Sequence, residues 1–331
     1  MEEKVRMADI AEKLNISVVS VSKALSGKDG VSDRMREKIR ATAREMGYVP
    51  LRSKPTEKTG ESTGNIGILV PDKFFDDNTF YANLYRQVSL RCNACGFSAM
   101  LEIVSLEAEQ NCVMPAMVQG GKVDGLIFLG QIRLDYLRAV TRSGIPYILL
   151  DFYDEELNAI SVTSDNVAGG YRIARHLLKA GYESIAFVGS IHATSSIMDR
   201  FLGYSKAMLR AGLPLRPEWV LEDRDANGTL KTVELPTPMP RALMCCCDQA
   251  AFDLVERLKA MGYRVPEDVA VAGYDDYRLG TLASPQLTSY RVNAEQMSWC
   301  AVEQLTKAIR GEPMINGNIV VNGVLVHRES T

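Results

Sequence analysis

Acidic side chains recur in the second part of the chain at points where an apolar run, and hence a strand, would end. Asp151 closes one such run, Cys247 and Asp248 follow a second, and Asp275 and Asp276 follow a third. In open α/β sheets, ligands bind outside the carboxyl ends of the strands. Any one of these acids is equally well explained as a helix N-cap or a solvated loop residue. Several of them at strand ends together favour a binding cleft.

The signatures of familiar catalytic chemistry are absent from the sequence. It has no GxGxxG after a strand, no GxxxxGK[ST], no GxSxG and no HExxH. The histidines, His176, His192 and His327, are far apart, and seven cysteines without a secretory signal argue against a disulfide framework. The Cys92-x-x-Cys95 pair lacks a second pair and a nearby histidine, which favours core thiols over a metal or redox site. The sequence therefore predicts no metal, no cofactor and no catalytic residue.

A second group of residues with a possible binding role lies near the N-terminus. Ile10, Ala11 and Leu14 share one face of a helix. Asn15 follows where the chain must turn sharply, and Asn tolerates the left-handed backbone better than most residues. Ser17 can then cap a second helix by accepting a hydrogen bond from an unpaired N–H. The spacing predicts two short helices joined by a tight turn.

The second helix turns Val21, Ala24 and Leu25 inward and presents small, apolar and basic side chains outward. This arrangement fits a helix-turn-helix whose second helix reads the major groove of DNA, where valines can contact thymine methyl groups. The alternative is a three-helix cap with an ordinary solvated face, but such a face would carry Glu, Lys or Gln rather than valine. The residues predicted to contact DNA are Ser17, Val18, Val19, Ser20, Ser22, Lys23 and Ser32.

From Asn65 onward, short apolar runs alternate with helical patterns of roughly 12–18 residues, which is typical of a doubly wound α/β architecture. About 270 residues with eight or more strands are too many for one compact sheet and predict two lobes. A helix is predicted from Phe80 to about Cys95. The predicted strands are Ile66–Val70, Phe97–Val104, Gly125–Leu129, Pro146–Asp151, Ile185–Gly189, Ala242–Cys247 and Val269–Gly273.

Composition divides the chain into a helical domain at 1–50, a linker at 51–63 with a single apolar residue, and the α/β domain at 64–331. Residues 1–58 hold 13 Lys and Arg against 9 Asp and Glu, whereas the remainder holds 25 against 32. A basic head on an acidic body suits a nucleic-acid module. The chain has no apolar run of about 18 residues, and its charged N-terminus is unlike a secretory signal. We therefore expect a cytoplasmic protein without a membrane partner.

Short motifs are spread over nearly the whole chain. They are Asp9–Ala11, Ile16-Ser17, Val21–Leu25, Val31-Ser32 and Gly47–Pro50 in the helical domain, and Asp165–Gly170, Arg200–Tyr204, Pro266–Asp276 and Pro285–Thr288 in the α/β domain. Each motif is weak alone. In order and spacing, however, they resemble the lactose-repressor (LacI/GalR) family of bacterial regulators.

The resemblance implies a body similar to periplasmic sugar-binding proteins, with two lobes, three crossovers and an effector in the cleft. Lobe one would comprise about 64–163 and 292–322, and lobe two 164–291 and 323–331. Aromatic faces and charged groups suit a polyol, so the implied effector is a sugar. The effector contacts that the resemblance places on this sequence are Phe80, Tyr81, Asp151, Arg200, Cys247 and Asp275.

The chain departs from the family pattern at three places. Cys247 stands where the family usually has Asn, which removes an amide from the cleft, and Arg6 stands where helix one usually starts with Thr. The hinge-helix pattern is replaced by a segment with Pro55, and Glu57 occupies the position of a leucine that wedges into the minor groove. Proline is tolerated only in the first turn of a helix, and phosphates repel Glu. Residues 51–63 are therefore predicted to form a flexible tether that couples the cleft weakly to DNA.

The favoured function is a homodimeric, ligand-responsive regulator that binds operator DNA and represses carbohydrate-related genes. The alternative is an α/β enzyme that acts on a sugar or nucleotide and carries an accessory helical domain. Such an enzyme would be expected to show turnover or a phosphate-binding loop, and the sequence has no such loop. A pure ligand-binding protein would normally be exported, and no signal peptide is evident.

Overall fold

A computed structural model describes most of the chain and separates it into two units, Met1–Glu61 and Ser62–Thr331. The described residues are 7–25, 31–46, 62–75, 79–157, 159–315 and 317–331. Outside them lie Arg6, residues 26–30, the end of the helical domain at 47–50, and linker residues 51–61 with Pro55 and Glu57. The tether therefore stays a prediction. Ser62 and Thr63 belong to the second unit, where the Asp124 carboxylate accepts hydrogen bonds from the Ser62 hydroxyl and the Thr63 N–H.

The first unit contains three helices around a small apolar core. The helices are α1 (Met7–Leu14), α2 (Val18–Leu25) and α3 (Asp33–Glu45). Between α1 and α2, Asn15 has a φ of 53°, which confirms the predicted left-handed residue. The Ser17 hydroxyl accepts a hydrogen bond from the Ser20 N–H at 3.1 Å and so caps α2. The buried core residues are Ile10, Ala11, Val21, Ala24, Ile39 and Ala43.

The second unit alternates strands with helices. Its strands are β1 (Asn65–Pro71), β2 (Ser98–Val104), β3 (Gly125–Leu129), β4 (Tyr147–Leu150), β5 (Ser161–Ser164), β6 (Ile185–Val188), β7 (Val220–Leu221), β8 (Ala242–Cys245), β9 (Ala270–Asp275), β10 (Thr288–Arg291), β11 (Asn318–Val321) and β12 (Val324–Val326). Its helices are α4 (Thr79–Ala94), α5 (Leu106–Gln110), α6 (Ala116–Gln119), α7 (Leu134–Thr141), α8 (Asn166–Lys179), α9 (Ser195–Arg210), α10 (Asp248–Ala260), α11 (Arg278–Leu282) and α12 (Ala294–Arg310). In the described part of the chain, no helix is both long and apolar enough to cross a membrane.

The twelve strands form two six-stranded sheets, one in each lobe. The orders are β11-β5-β4-β3-β1-β2 and β12-β10-β9-β8-β6-β7. Neighbouring strands run parallel except for the antiparallel pair β10 and β12. The chain passes between the sheets three times, after β5, after β10, and between β11 and β12. This topology confirms the predicted two-lobed α/β fold.

Five strands, β5, β7, β10, β11 and β12, were not predicted, and two of them, β5 and β10, carry no apolar run. In β5 and β10 the side chains of Ser161, Thr163, Thr288 and Ser289 are buried although they are polar. Burial of a hydroxyl is tolerated where it is hydrogen-bonded, and Ser289 donates to the Asp248 carboxylate at 2.6 Å. A strand of this kind looks like a loop until its partners are known.

In lobe two, α8 and α9 approach each other at glycines. A Cβ atom on Gly203 would overlap the Val167 carbonyl oxygen, and one on Gly170 would overlap the Arg200 carbonyl oxygen. Only glycine allows two helix backbones to pack this closely. The contact fixes α9 against the start of α8.

We expect Gly203→Ala to destabilise the protein by about 2 kcal/mol, because overpacking costs more than the helix propensity that alanine adds. The free energy of unfolding from urea denaturation measures this. Leu202→Ala is the matched control, since Leu202 lies on the same helix and is exposed; it should change the value by less than about 0.5 kcal/mol. Equal effects of the two substitutions would contradict the close helix contact.

Candidate functional site

The lobe-one side of the cleft is built on a hydrogen bond between α4 and the end of β4. The Tyr81 hydroxyl donates to Asp151 Oδ2 at 2.8 Å, and both side chains are buried. Burial raises the pKa of Asp151. Asp151 also has a φ of 68°, a left-handed backbone that costs a non-glycine residue roughly 1–3 kcal/mol and is often found at functional sites.

Aromatic rings surround this hydrogen bond. Phe74 stacks on Tyr81 with ring centroids 4.8 Å apart, and Phe80 meets Tyr81 edge-on at 5.2 Å. The Lys73 ammonium group lies over the Phe74 ring, with Nζ 5.3 Å from the ring centroid. One face of Tyr81 is therefore covered by Phe74, a residue that the sequence analysis did not select.

The lobe-two side is organised around the buried guanidinium of Arg200 on α9. Its Nε donates to Asn166 Oδ1 at 2.9 Å, and its Nη1 donates to the Cys246 carbonyl at 2.5 Å. The group stacks on the Tyr274 ring at 3.8 Å from the centroid. Its Nη1 lies 3.7 Å from Asp275 Oδ1. The guanidinium is thus held by four residues from three elements of its own lobe.

Charges from the two lobes influence one another at this site. Burial raises the pKa of Asp275 well above its usual range, and Arg200 opposes that rise. Burial disfavours the charged form of Arg200, but Asp275, Tyr274 and Asp151 more than compensate, so the pKa of Arg200 is raised. Burial raises the pKa of Asp151 as well, and Arg200 opposes that rise from across the cleft. The guanidinium therefore stays charged and serves carboxylates on both lobes.

Two buried carboxylate oxygens in the cleft lack a hydrogen-bond donor among the described residues. They are Asp151 Oδ1, from lobe one, and Asp275 Oδ1, from lobe two. Asp275 also has a left-handed backbone, with a φ of 104°. Buried acceptors without donors are costly, so a bound molecule with hydroxyl groups would satisfy both.

The other two strand-end acids have protein partners. Asp248 accepts hydrogen bonds from the Ser289 hydroxyl and from the Tyr277 N–H. Asp276 pairs with Arg291 and with Arg328, each at 2.6 Å. These two acids tie strands and the C-terminal segment together, whereas Asp151 and Asp275 face the cleft.

Cys247 lies beside a charged group that the sequence analysis also missed. The Arg224 guanidinium places Nη1 3.3 Å from Cys246 Sγ and Nη2 3.8 Å from Cys247 Sγ, and it forms an ion pair with Asp223. A cavity of about 270 Å³ adjoins this group and is lined from lobe one by Lys73 and Phe74, among others, and from lobe two by Arg224 and Gln249.

The structure brings together all six predicted effector residues at the border between the lobes. Sequence reasoning missed Phe74, Asn166, Asp223, Arg224 and Tyr274. Asn166 could have been predicted from the sequence, because it lies in the Asp165–Gly170 motif that carries the family resemblance. Asp223 and Arg224 follow a strand of only two residues, so no local pattern marked them.

In the helical unit, the predicted DNA contacts lie mostly on the surface of α2. Val18 is 47% exposed and Val19 63% exposed, while Ser17, Lys23 and Ser32 are also exposed. Ser20 is half-buried, and the side chain of Ser22 lies outside the described residues. Two adjacent exposed valines on a helix facing solvent are unusual and need a partner surface.

Comparison with known proteins agrees with both units. The lacI family of bacterial regulatory proteins matches residues 6–51, and a periplasmic-binding-protein-like domain matches residues 174–331. The ribose operon repressor of Haemophilus influenzae is 27% identical over 98% of this chain and 98% of its own. The transcriptional regulator DegA of Bacillus subtilis is 26% identical over 99% and 98%.

Among solved structures, a complex of the transcriptional regulator CelR with cellobiose has a TM-score of 0.72 and 26% identity, covering 99% of this chain and 100% of that one. The fold and the two matched domains define a DNA-binding transcriptional regulator with a periplasmic-binding-protein-like body. The chain belongs to the lacI family of bacterial regulatory proteins. This is a family of regulators, and the comparisons give no support to the enzyme alternative.

We expect Arg200→Ala to lose more stability at high pH than at low pH. The folded-state pKa values of Asp151 and Asp275 are raised, so the native state binds more protons than the unfolded chain, and stability falls as pH rises above about 3.9. Removing Arg200 raises both pKa values further and deepens that fall. The predicted loss is about 3 kcal/mol at pH 8 and smaller at pH 5.

Urea denaturation at the two pH values measures this loss. Arg210→Ala, at the exposed end of the same helix, is the control and should cost less than about 0.5 kcal/mol at both. A loss for Arg200→Ala that is the same at pH 5 and pH 8 would contradict the charge coupling.

Proposed function

We propose that this regulator is a cytoplasmic, homodimeric repressor of carbohydrate-related genes whose effector is a sugar bound between the two lobes. Residues 1–50 bind operator DNA, 51–63 form the linker, and 64–331 bind the effector and form the dimer. The effector contacts proposed are Phe80, Tyr81, Asp151, Arg200, Cys247 and Asp275.

The observation that carries this proposal is a pair of buried carboxylate oxygens on opposite lobes, Asp151 Oδ1 and Asp275 Oδ1, to which no described residue donates a hydrogen bond. A molecule with several hydroxyl groups can donate to both at once, and Arg200 between them balances their charge. Aromatic side chains beside the carboxylates suit the apolar faces of a sugar ring. The names of two relatives that mention ribose and cellobiose point to the same chemical class.

A ligand held by both lobes stabilises the arrangement in which they are close. It can shift the regulator only by its difference in affinity between the closed and open arrangements. In a homodimer, such a shift changes how the two DNA-binding domains are presented to a two-fold symmetric operator. With the tether that the sequence predicts for the linker, the resulting change in operator affinity is expected to be about 1 kcal/mol, at the low end of allosteric coupling.

We expect calorimetry with a panel of mono- and disaccharides, starting with ribose and cellobiose, to identify a ligand. Asp151→Asn and Asp275→Asn should each weaken its binding by about 1–3 kcal/mol, because an amide nitrogen cannot accept the ligand's hydroxyl proton. Asp268→Asn is the matched control, since Asp268 pairs with Arg264 on the surface. Unchanged affinity in both cleft variants would place the site elsewhere.

We expect Val18 and Val19 to read thymine methyl groups, with Lys23 reaching guanine or a flanking phosphate. Selection of operators from random DNA by the full-length protein should yield two inverted half-sites, as a dimer requires. Val18→Ala and Val19→Ala should relax the preference at individual thymines by about 1–3 kcal/mol. Glu12→Ala, on the exposed side of α1, should leave the preferred sequence unchanged. The same preferred sequence in all variants would exclude base reading by the valines.

A further inference from the structure

Two adjacent thiols lie at the end of β8, where the strand meets the cleft. Cys246 is fully buried and Cys247 is 5% exposed. The Cys246 sulfur lies 3.1 Å from Asp223 Oδ2, which accepts from its S–H. The two sulfur atoms and a carboxylate oxygen of Asp223 all lie within 4.8 Å of one another. Two thiols and a buried carboxylate thus share one small volume.

The buried guanidinium of Arg224 lies close to both sulfur atoms. Arg224 Nη1 is 3.3 Å from Cys246 Sγ, and Nη2 is 3.8 Å from Cys247 Sγ. The Cys246 thiol and then the Arg224 guanidinium lower the pKa of Cys247, whereas Cys246 keeps its proton because its own pKa is raised. These shifts favour a thiolate on Cys247 and a protonated thiol on Cys246. A guanidinium beside a thiol favours the thiolate, which is the nucleophilic form of cysteine.

Three of the other cysteines, Cys92, Cys245 and Cys300, are buried thiols whose pKa is raised. Burial raises the pKa of Cys245 well above its usual range, and burial raises that of Cys92 to about 12. Burial also raises the pKa of Cys300. Burial therefore disfavours the thiolate form of these three cysteines.

We propose that Cys246 and Cys247 form a thiol pair that hydrogen peroxide oxidises reversibly to a disulfide. The Cys247 thiolate attacks one peroxide oxygen, the O–O bond breaks, and hydroxide leaves, which gives a sulfenic acid on Cys247. Cys246 sulfur then attacks the sulfenic sulfur, an S–S bond forms, and the hydroxyl group leaves as water with the Cys246 proton. Asp223, which already accepts the Cys246 S–H, is placed to take that proton as Cys246 attacks and to pass it on to the leaving hydroxyl group. Peroxide is the oxidant, and both thiols are oxidised together by two electrons.

The surroundings favour a reversible reaction. Arg224 lines the adjoining cavity of about 270 Å³, which is large enough for peroxide. Adjacent Cα atoms are about 3.8 Å apart, closer than the roughly 4.4–6.8 Å of ordinary disulfides. A disulfide strained in this way is readily reduced. The peptide that the ring would distort carries the Cys246 carbonyl, which accepts the hydrogen bond from Arg200.

The experiment is peroxide titration of the reduced full-length protein, followed by mass spectrometry of the peptide that holds all three neighbouring cysteines. We expect this peptide to lose two hydrogen atoms and to regain them with dithiothreitol. Cys246→Ser should stop the reaction at the sulfenic acid, which dimedone traps on Cys247. Cys247→Ser should leave the peptide unoxidised at the same peroxide dose.

Two further variants test whether the disulfide forms between Cys246 and Cys247 and whether its formation depends on Arg224. Cys245→Ser is the matched control in the same peptide and should still form the disulfide, whereas Arg224→Met should slow oxidation of Cys247 several-fold. Wild-type protein whose peptide keeps its mass, or whose Cys95 and Cys112 react before it does, would overturn the proposal. The measurement uses neither sugar nor operator, so its result is independent of the proposed effector site.

Discussion

The buried positive charge of Arg200 is the constraint around which the cleft is built. A guanidinium removed from water is stable only when its donors are satisfied and its charge is balanced. Here α8 supplies Asn166, the end of β8 supplies the Cys246 carbonyl, and β9 supplies both Tyr274 and Asp275. The contacts of this one side chain therefore fix the positions of three elements relative to one another. The glycine contact between α8 and α9 brings the arginine within reach of all of them.

Lobe one contributes the other half of the site. There the Tyr81 hydroxyl occupies one oxygen of Asp151 and leaves the other without a donor. Each lobe thus presents a carboxylate with one unused acceptor, and each of these carboxylates sits on a left-handed backbone. A site that keeps strained backbone and unpaired acceptors in both lobes is organised for a ligand that touches both. The free energy released on pairing those acceptors favours the closed lobes.

Much of the fold followed from local patterns, because apolar runs and capping residues act over a few positions. The turn at Asn15 and seven strands were predicted in this way. Strands β5 and β10 were missed because what buries their hydroxyl groups lies far along the chain. Arg200 and Arg210 show the same limit within one helix. Nothing local distinguishes them, yet one is buried in the cleft and the other is exposed, so the role of Arg200 could be reached only through family resemblance.

The replacement of the family's usual Asn by Cys247 removes less polar character from the cleft than the family pattern implied. An amide at this position would bring one donor and one acceptor to the cleft. In this chain the donor is supplied by Arg224, whose guanidinium reaches both thiols and Asp223, and the sulfur of Cys247 supplies an acceptor. The polar character of this corner is therefore kept, but its donor now carries a full positive charge, which the Asp223 carboxylate balances. A neutral amide would need no such balance, which explains why the arginine, the acid and the thiols occur together.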